Sequence, residues 1–104
     1  MTIDELVEAY HAALQRAAKA IAAEASADEG RRIVRAELMV KAGEIPVSKA
    51  ENIAMASPEY KAAVRDCFNA STEAEEAKAE VEYYKTRFEA WRTKSATARA
   101  KHVG

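Results

Sequence analysis

The chain has 104 residues, 16 of them basic and 17 acidic, for a formal charge of −1; 49% are hydrophobic, with only two Phe, one Trp and four Tyr among them. That length allows one domain with a modest core, and the balanced charge excludes a global field of the kind that draws a chain to DNA or to a membrane surface. The single cysteine, Cys67, excludes an internal disulfide and fits a reducing compartment.

No apolar run approaches the roughly 20 residues of a membrane span. The opening MTIDELVEAYH carries acid where a signal peptide carries base. A cytoplasmic protein with no membrane partner is therefore expected. Three Gly and two Pro punctuate the text, and no stretch alternates apolar and polar for the length of a strand, which leaves helix as the regular structure.

The first helix opens on Thr2 with Glu5, a capping box, and is expected to run to about Ala25. Its apolar rhythm of Ile3, Val7, Tyr10, Leu14, Ala17 and Ile21 predicts a coiled-coil seam. Asp28 falls where that seam wants an apolar residue. Because Ser26 with Glu29 repeats the capping device, a kink or a second helix carrying Ile33, Val34, Leu38 and Ala42 is expected there. Gly43 as a left-handed cap and Pro46 as a residue that cannot continue the helix end this arm.

Ser48 with Glu51 predicts a short helix to about Ala56, and Ser57 followed by Pro58 reads as an N-cap with Pro at the first helical position. From Pro58 the pattern is unbroken to His102. Tyr60, Cys67, Ala74, Val81, Phe88 and Ser95 share one heptad position, and Thr72 with Glu75 marks a fallback break near Ser71. The repeat is clearest at Ala77, Val81, Tyr84, Phe88, Trp91, Ser95 and Ala98.

The predicted fold is all-α: an elongated antiparallel helical hairpin, coiled-coil-like, with a short helical elbow and a long last helix. Residues 1–104 form a single helical domain, with an N-terminal arm at 1–43, the elbow at 44–57 and the long helix at 58–102. Alanines at 9, 12, 13, 17, 18 and 20 leave room for Tyr83, Tyr84, Phe88 and Trp91 across the hairpin. The same arrangement is expected to place Asp4, Glu5 and Glu8 near Arg99 and Lys101. Alanine buries little surface, at roughly 25 cal/mol per Å² removed from water. Self-association is therefore expected to supply burial, through Ile3, Val7, Tyr10 and Leu14 with Val81, Tyr84, Phe88 and Trp91.

Charge is segregated along the last helix. Glu73, Glu75, Glu76, Glu80 and Glu82 precede Lys85, Arg87, Arg92, Lys94, Arg99 and Lys101, and the six bases fall in two heptad series that flank the seam. They read as solvated or acid-paired flanks. Alternatively, together with Trp91 and the off-seam Tyr83, they form a surface for an acidic protein or for single-stranded nucleic acid. A second basic surface gathers Arg31, Arg32, Arg35, Lys41 and Lys49 around Ile45, Pro46 and Val47, with only a loose likeness to a helix-turn-helix reader.

Chemistry finds little footing. Two imidazoles, His11 and His102, fall short of a metal site. Cys67, beside Asp66, reads as a small core residue. No glycine-rich phosphate loop and no nucleophile with a base is present, so no cofactor and no enzymatic activity are expected.

The stretch AKAEVEYYKTRFEAWRTKSATARA, with GEIPVSKAENIAMASPEYKAA upstream of it, resembles small alanine-rich helical proteins of tailed bacteriophages and prophages, encoded near recombination or replication genes. The core of the likeness is Lys78 to Arg92, followed by Ser95, Ala96, Thr97 and Arg99. The resemblance implies a non-enzymatic accessory role in a bacterial host cell: partnership with a phage recombination protein, a host nuclease or a defence complex. It assigns no functional residues. Direct binding of single-stranded nucleic acid and a purely structural homo-oligomer stand beside it as alternatives.

Overall fold

The structure, a computed structural model, describes the backbone of residues 1–103 and the side chains of residues 1–101. It is all-α, with three helices: α1 (Ile3–Lys41), α2 (Val47–Ala56) and α3 (Pro58–Val103). The chain forms two compact units, one of Met1–Lys19 with the chain from Glu75 onward, the other of Ala20–Ala74. α1 and α3 contribute to both.

In the first unit α1 and α3 pack antiparallel. Tyr10 meets Phe88 edge to face with ring centroids 6.4 Å apart, and Arg16 ion-pairs with Glu80. At that register Ala13 and Ala17, 0% and 7% exposed, come level with Tyr84 and Val81. Small residues on one helix seat bulky ones on the other, as the alanine content predicts.

The seam of α1 differs from the predicted one by a single position. Ile3, Tyr10 and Ala17 face α3 as expected, but their seam partners are Leu6 and Ala13, both buried, while Val7, Leu14 and Ile21 stay 48%, 46% and 44% exposed. The reason is volume. The Phe88 ring meets Tyr10 between the helices, and Ala13 beside that contact leaves room where leucine would collide, while Leu6 takes the same seam position one heptad earlier.

The second unit carries the same seam phase onward. Glu24, Ala27, Arg31, Val34 and Leu38 are all half-buried, so the heptad never slips. Asp28 therefore shares the outer position of Val7, Leu14 and Ile21. There its carboxylate accepts from Arg31 at 2.9 Å and ion-pairs with Arg32 at 3.1 Å, one turn ahead on the same helix. This corrects the expected break: Ser26 and Glu29 lie inside a continuous α1.

α3 returns along α1 with the Cys67 thiol donating to the Ala27 carbonyl at 3.2 Å and Arg31 donating to the Tyr60 hydroxyl at 3.2 Å. Ala50, Ala54, Tyr60 and Ala74 are buried in this unit, and Arg35 ties α2 to α1 through Glu51 at 2.8 Å.

The helix ends follow capping chemistry with one exception. The Glu5 amide donates to the Thr2 hydroxyl at 3.2 Å, and Gly43 takes φ 86 at the end of α1, a conformation that glycine adopts freely. The Ser57 hydroxyl accepts from the Tyr60 amide at 3.1 Å and donates to the Ala54 carbonyl at 2.7 Å, so one residue closes α2 and opens α3.

The exception is Ser48. Lys49 and Ala50 both donate to the Pro46 carbonyl, which starts α2 at Val47, ahead of Ser48 and with no side-chain cap. Nor does Thr72 break α3: its hydroxyl donates back to the Phe68 carbonyl at 3.0 Å, within an unbroken helix.

Candidate functional site

The C-terminal half of α3 gathers the predicted binding residues. Lys85, Arg87, Arg92, Lys94, Arg99 and Lys101 are all exposed, and among the described residues none of the six forms an ion pair. Their neighbours along the helix divide them into two groups. Lys85 has Glu82 and Glu89 within one turn, and Arg92 has Glu89. Arg87, Lys94 and Arg99 have no Asp or Glu three or four residues away on either side, and Lys101 has none three or four residues before it. Four of the six charges are thus left without a local counter-charge.

The acids of α1 do not supply one. Asp4, Glu5 and Glu8 are exposed and make no ion pair with Arg99 or Lys101 among the described residues. Register is the cause. Met1 and Leu6 share a groove with Trp91 and Lys94, so the helix beyond Ser95 has no part of α1 opposite it. Leu6 points inward, and the three acids fall on other faces of α1.

Trp91 is the aromatic centre of this surface. Its ring stacks at 24° to Phe88 with centroids 6.2 Å apart, and it remains 42% exposed. On one side lies a groove of about 420 Å³ bordered by Arg87 and Lys94; on the other, one of about 960 Å³ bordered by Arg92 and Arg99. A flat aromatic face with cations on both flanks can stack a planar group while holding its negative charge.

Tyr83 is less free than its off-seam position implies. It is 55% exposed, yet its hydroxyl accepts from Arg87 at 3.0 Å and its ring meets Tyr84 edge to face at 5.2 Å.

The predicted self-association residues divide. Ile3, Tyr10, Val81, Tyr84 and Phe88 are half-buried along the hairpin of the first unit, whereas Val7, Leu14 and Trp91 are exposed. Val7 and Leu14, with Tyr10, His11 and Phe88, line an apolar groove of about 400 Å³. Sequence reasoning did not find this groove, because it placed Val7 and Leu14 inside the seam.

The basic surface at the elbow is largely neutralised. Arg31 and Arg32 bond Asp28, and Arg35 bonds Glu51. The Arg31 hydrogen bond holds the Asp28 carboxyl below the usual aspartate range, and the Asp28 bond in turn raises Arg31. Cys67 is half-buried, as expected of a small core residue.

His11 lies in the apolar groove, and the side chain of His102 falls outside the described residues. Among the described residues no group of three or more His, Cys, Asp or Glu could hold a metal ion, and no helix is long and apolar enough to cross a membrane. No protein-family model matches the chain, and neither a curated protein nor a solved structure matches it.

Proposed function

We propose that this chain is a non-enzymatic helical accessory protein that self-associates and holds an acidic macromolecule on the basic end of α3. The observation that carries the reading is the set of four exposed cations, Arg87, Lys94, Arg99 and Lys101, with no Asp or Glu three or four residues away in the sequence and no ion pair among the described residues. Structural flanks of a coiled coil find acids on the facing helix. Among the described residues these form no such pair, which leaves their charge to a ligand.

The setting we assign is phage DNA recombination or replication, or inhibition of a host nuclease or defence complex. That assignment is supported by the likeness of the 77–100 stretch to phage and prophage helical proteins. Within it the partner is an acidic protein surface, engaged by Lys85, Arg87, Arg92, Lys94, Arg99 and Lys101.

A second reading, direct binding of single-stranded nucleic acid, is favoured by one specific feature. Trp91 offers a half-open ring between two cation-lined grooves, the arrangement in which a base stacks and phosphates are held alongside. The experiment that tests both is a titration with a single-stranded oligonucleotide at low and then moderate salt, following the emission of Trp91. A saturable change that salt reverses selects nucleic acid. An unchanged spectrum, with an acidic protein retained on the immobilised chain and released by salt, selects the first reading. Neither ligand binding in low salt refutes the proposal.

A further inference from the structure

We propose that the groove formed by Val7, His11, Leu14 and Phe88 is the self-association face, and that its occupant is a second copy of this chain, packed antiparallel about a twofold axis near His11. The inference rests on the self-association part of the proposed function and names the surface that performs it.

Three observations select a second copy. First, the chain exposes 7757 Å², whereas a globular protein of its 11.4 kDa exposes about 5,800 Å². The excess, roughly 2,000 Å² per chain, is more than the about 800 Å² per partner that a standard two-protein interface removes from water. Among the core residues only Leu6 and Tyr60 are larger than alanine, so the chain alone leaves much of its apolar surface wet.

Second, the groove is self-complementary. Val7 and Leu14 stand one heptad apart with His11 between them, so antiparallel pairing sets each Val7 against the other copy's Leu14 and His11 against His11. Third, the charge order along this part of α1 favours that sense. Asp4, Glu5 and Glu8 lie at its start and Lys19, next to the Glu80-paired Arg16, at its end. Antiparallel pairing brings the acidic end of each copy to the basic end of the other, where parallel pairing sets like against like. The net charge of −1 leaves no general repulsion between copies.

Sedimentation equilibrium of the full chain tests the face. Leu14 is half-exposed, so Leu14→Glu leaves helicity intact by circular dichroism and weakens the dimer by about a hundredfold, because two apolar side chains leave the interface and two carboxylates take their place near the axis. Leu14→Ala, which keeps helix propensity, weakens it by about tenfold. In a Cys67→Ser background, oxidation links a Val7→Cys chain to a Leu14→Cys chain, while Val7→Cys alone stays unlinked. The reverse cross-linking pattern overturns the antiparallel assignment.

A dimer that both Leu14 variants leave unchanged overturns this face and leaves self-association standing elsewhere. A wild-type chain that sediments as a monomer up to millimolar concentration removes both. Ligand binding at the basic end is read separately, by the Trp91 titration.

Discussion

Replacing Lys94, Arg99 and Lys101 together with Gln tests the basic end quantitatively. All three are exposed and form no ion pair among the described residues, and Gln keeps their length and helix propensity, so helicity and melting temperature are expected to hold. The four cations without a local counter-charge set the size of the effect. Single strands release about 0.7 counterion per phosphate neutralised, so four neutralised phosphates give a slope of log K against log salt near −2.8. Raising salt from 50 to 200 mM should then weaken oligonucleotide binding about 50-fold.

In the triple variant Arg87 alone remains of the four, and the slope should fall to about −0.7. The assay is Trp91 emission against oligonucleotide at four salt concentrations for both proteins. A wild-type slope near zero would refute the claim that these charges meet phosphates. A triple variant with the wild-type slope would show that the wrong cations were chosen, and loss of helicity would make them structural flanks.

Gly30 sits inside α1 with nothing within 4 Å of where a Cβ would stand and no positive φ, so Gly30→Ala should stabilise by about 0.5–1 kcal/mol in urea denaturation. Ala13 is 0% exposed where α3 brings Tyr84, and Ala13→Leu should destabilise by roughly 1–3 kcal/mol through overpacking, whereas the adjacent exposed Leu14→Ala should leave the thermal stability of a dilute monomer nearly unchanged. Because the Arg31 hydrogen bond lowers Asp28 in the folded chain, its stabilisation is present above the ordinary aspartate range and is lost as pH falls through the lowered folded value. Asp28→Asn should flatten that part of the stability curve in acid-pH urea titrations.

Much of the fold was legible because helix is so strongly written into this chain. Ser57-Pro58 and Gly43 carried enough local chemistry to place both ends of the elbow, and the heptad of α3 from Tyr60 to Ser95 is half-buried or buried at every step. The capping-box pattern was less reliable. At Ser26, Ser48 and Thr72 the same spacing occurs within a helix, because a box takes effect only where the preceding backbone leaves the helix. The charge segregation of α3 was equally plain in the sequence. Which cations lack a local acid was also legible from the spacing, but that none pairs across the hairpin was not, since that depends on the register at which Tyr10 meets Phe88.

The seam of α1 lies one position from where its hydrophobicity points, and the shift bears on function. Its apolar residues occupy three heptad positions, with Ile3, Tyr10 and Ala17 on one, Leu6, Ala13 and Ala20 on the second and Val7, Leu14 and Ile21 on the third. Any two adjacent positions make a seam, and hydrophobicity alone favours the larger aliphatics. The choice is made by the other helix: Phe88 meets Tyr10 in the gap, so Ala13 and Ala17 turn inward with Leu6, and Val7, Leu14 and Ile21 turn outward. The same one-position shift takes Asp28 off the seam and removes the reason for a break. A stripe three positions wide exceeds what a two-helix hairpin can cover. Val7 and Leu14 are therefore the part of the α1 code that the hairpin does not use, and a helix outside the hairpin is what such spacing fits.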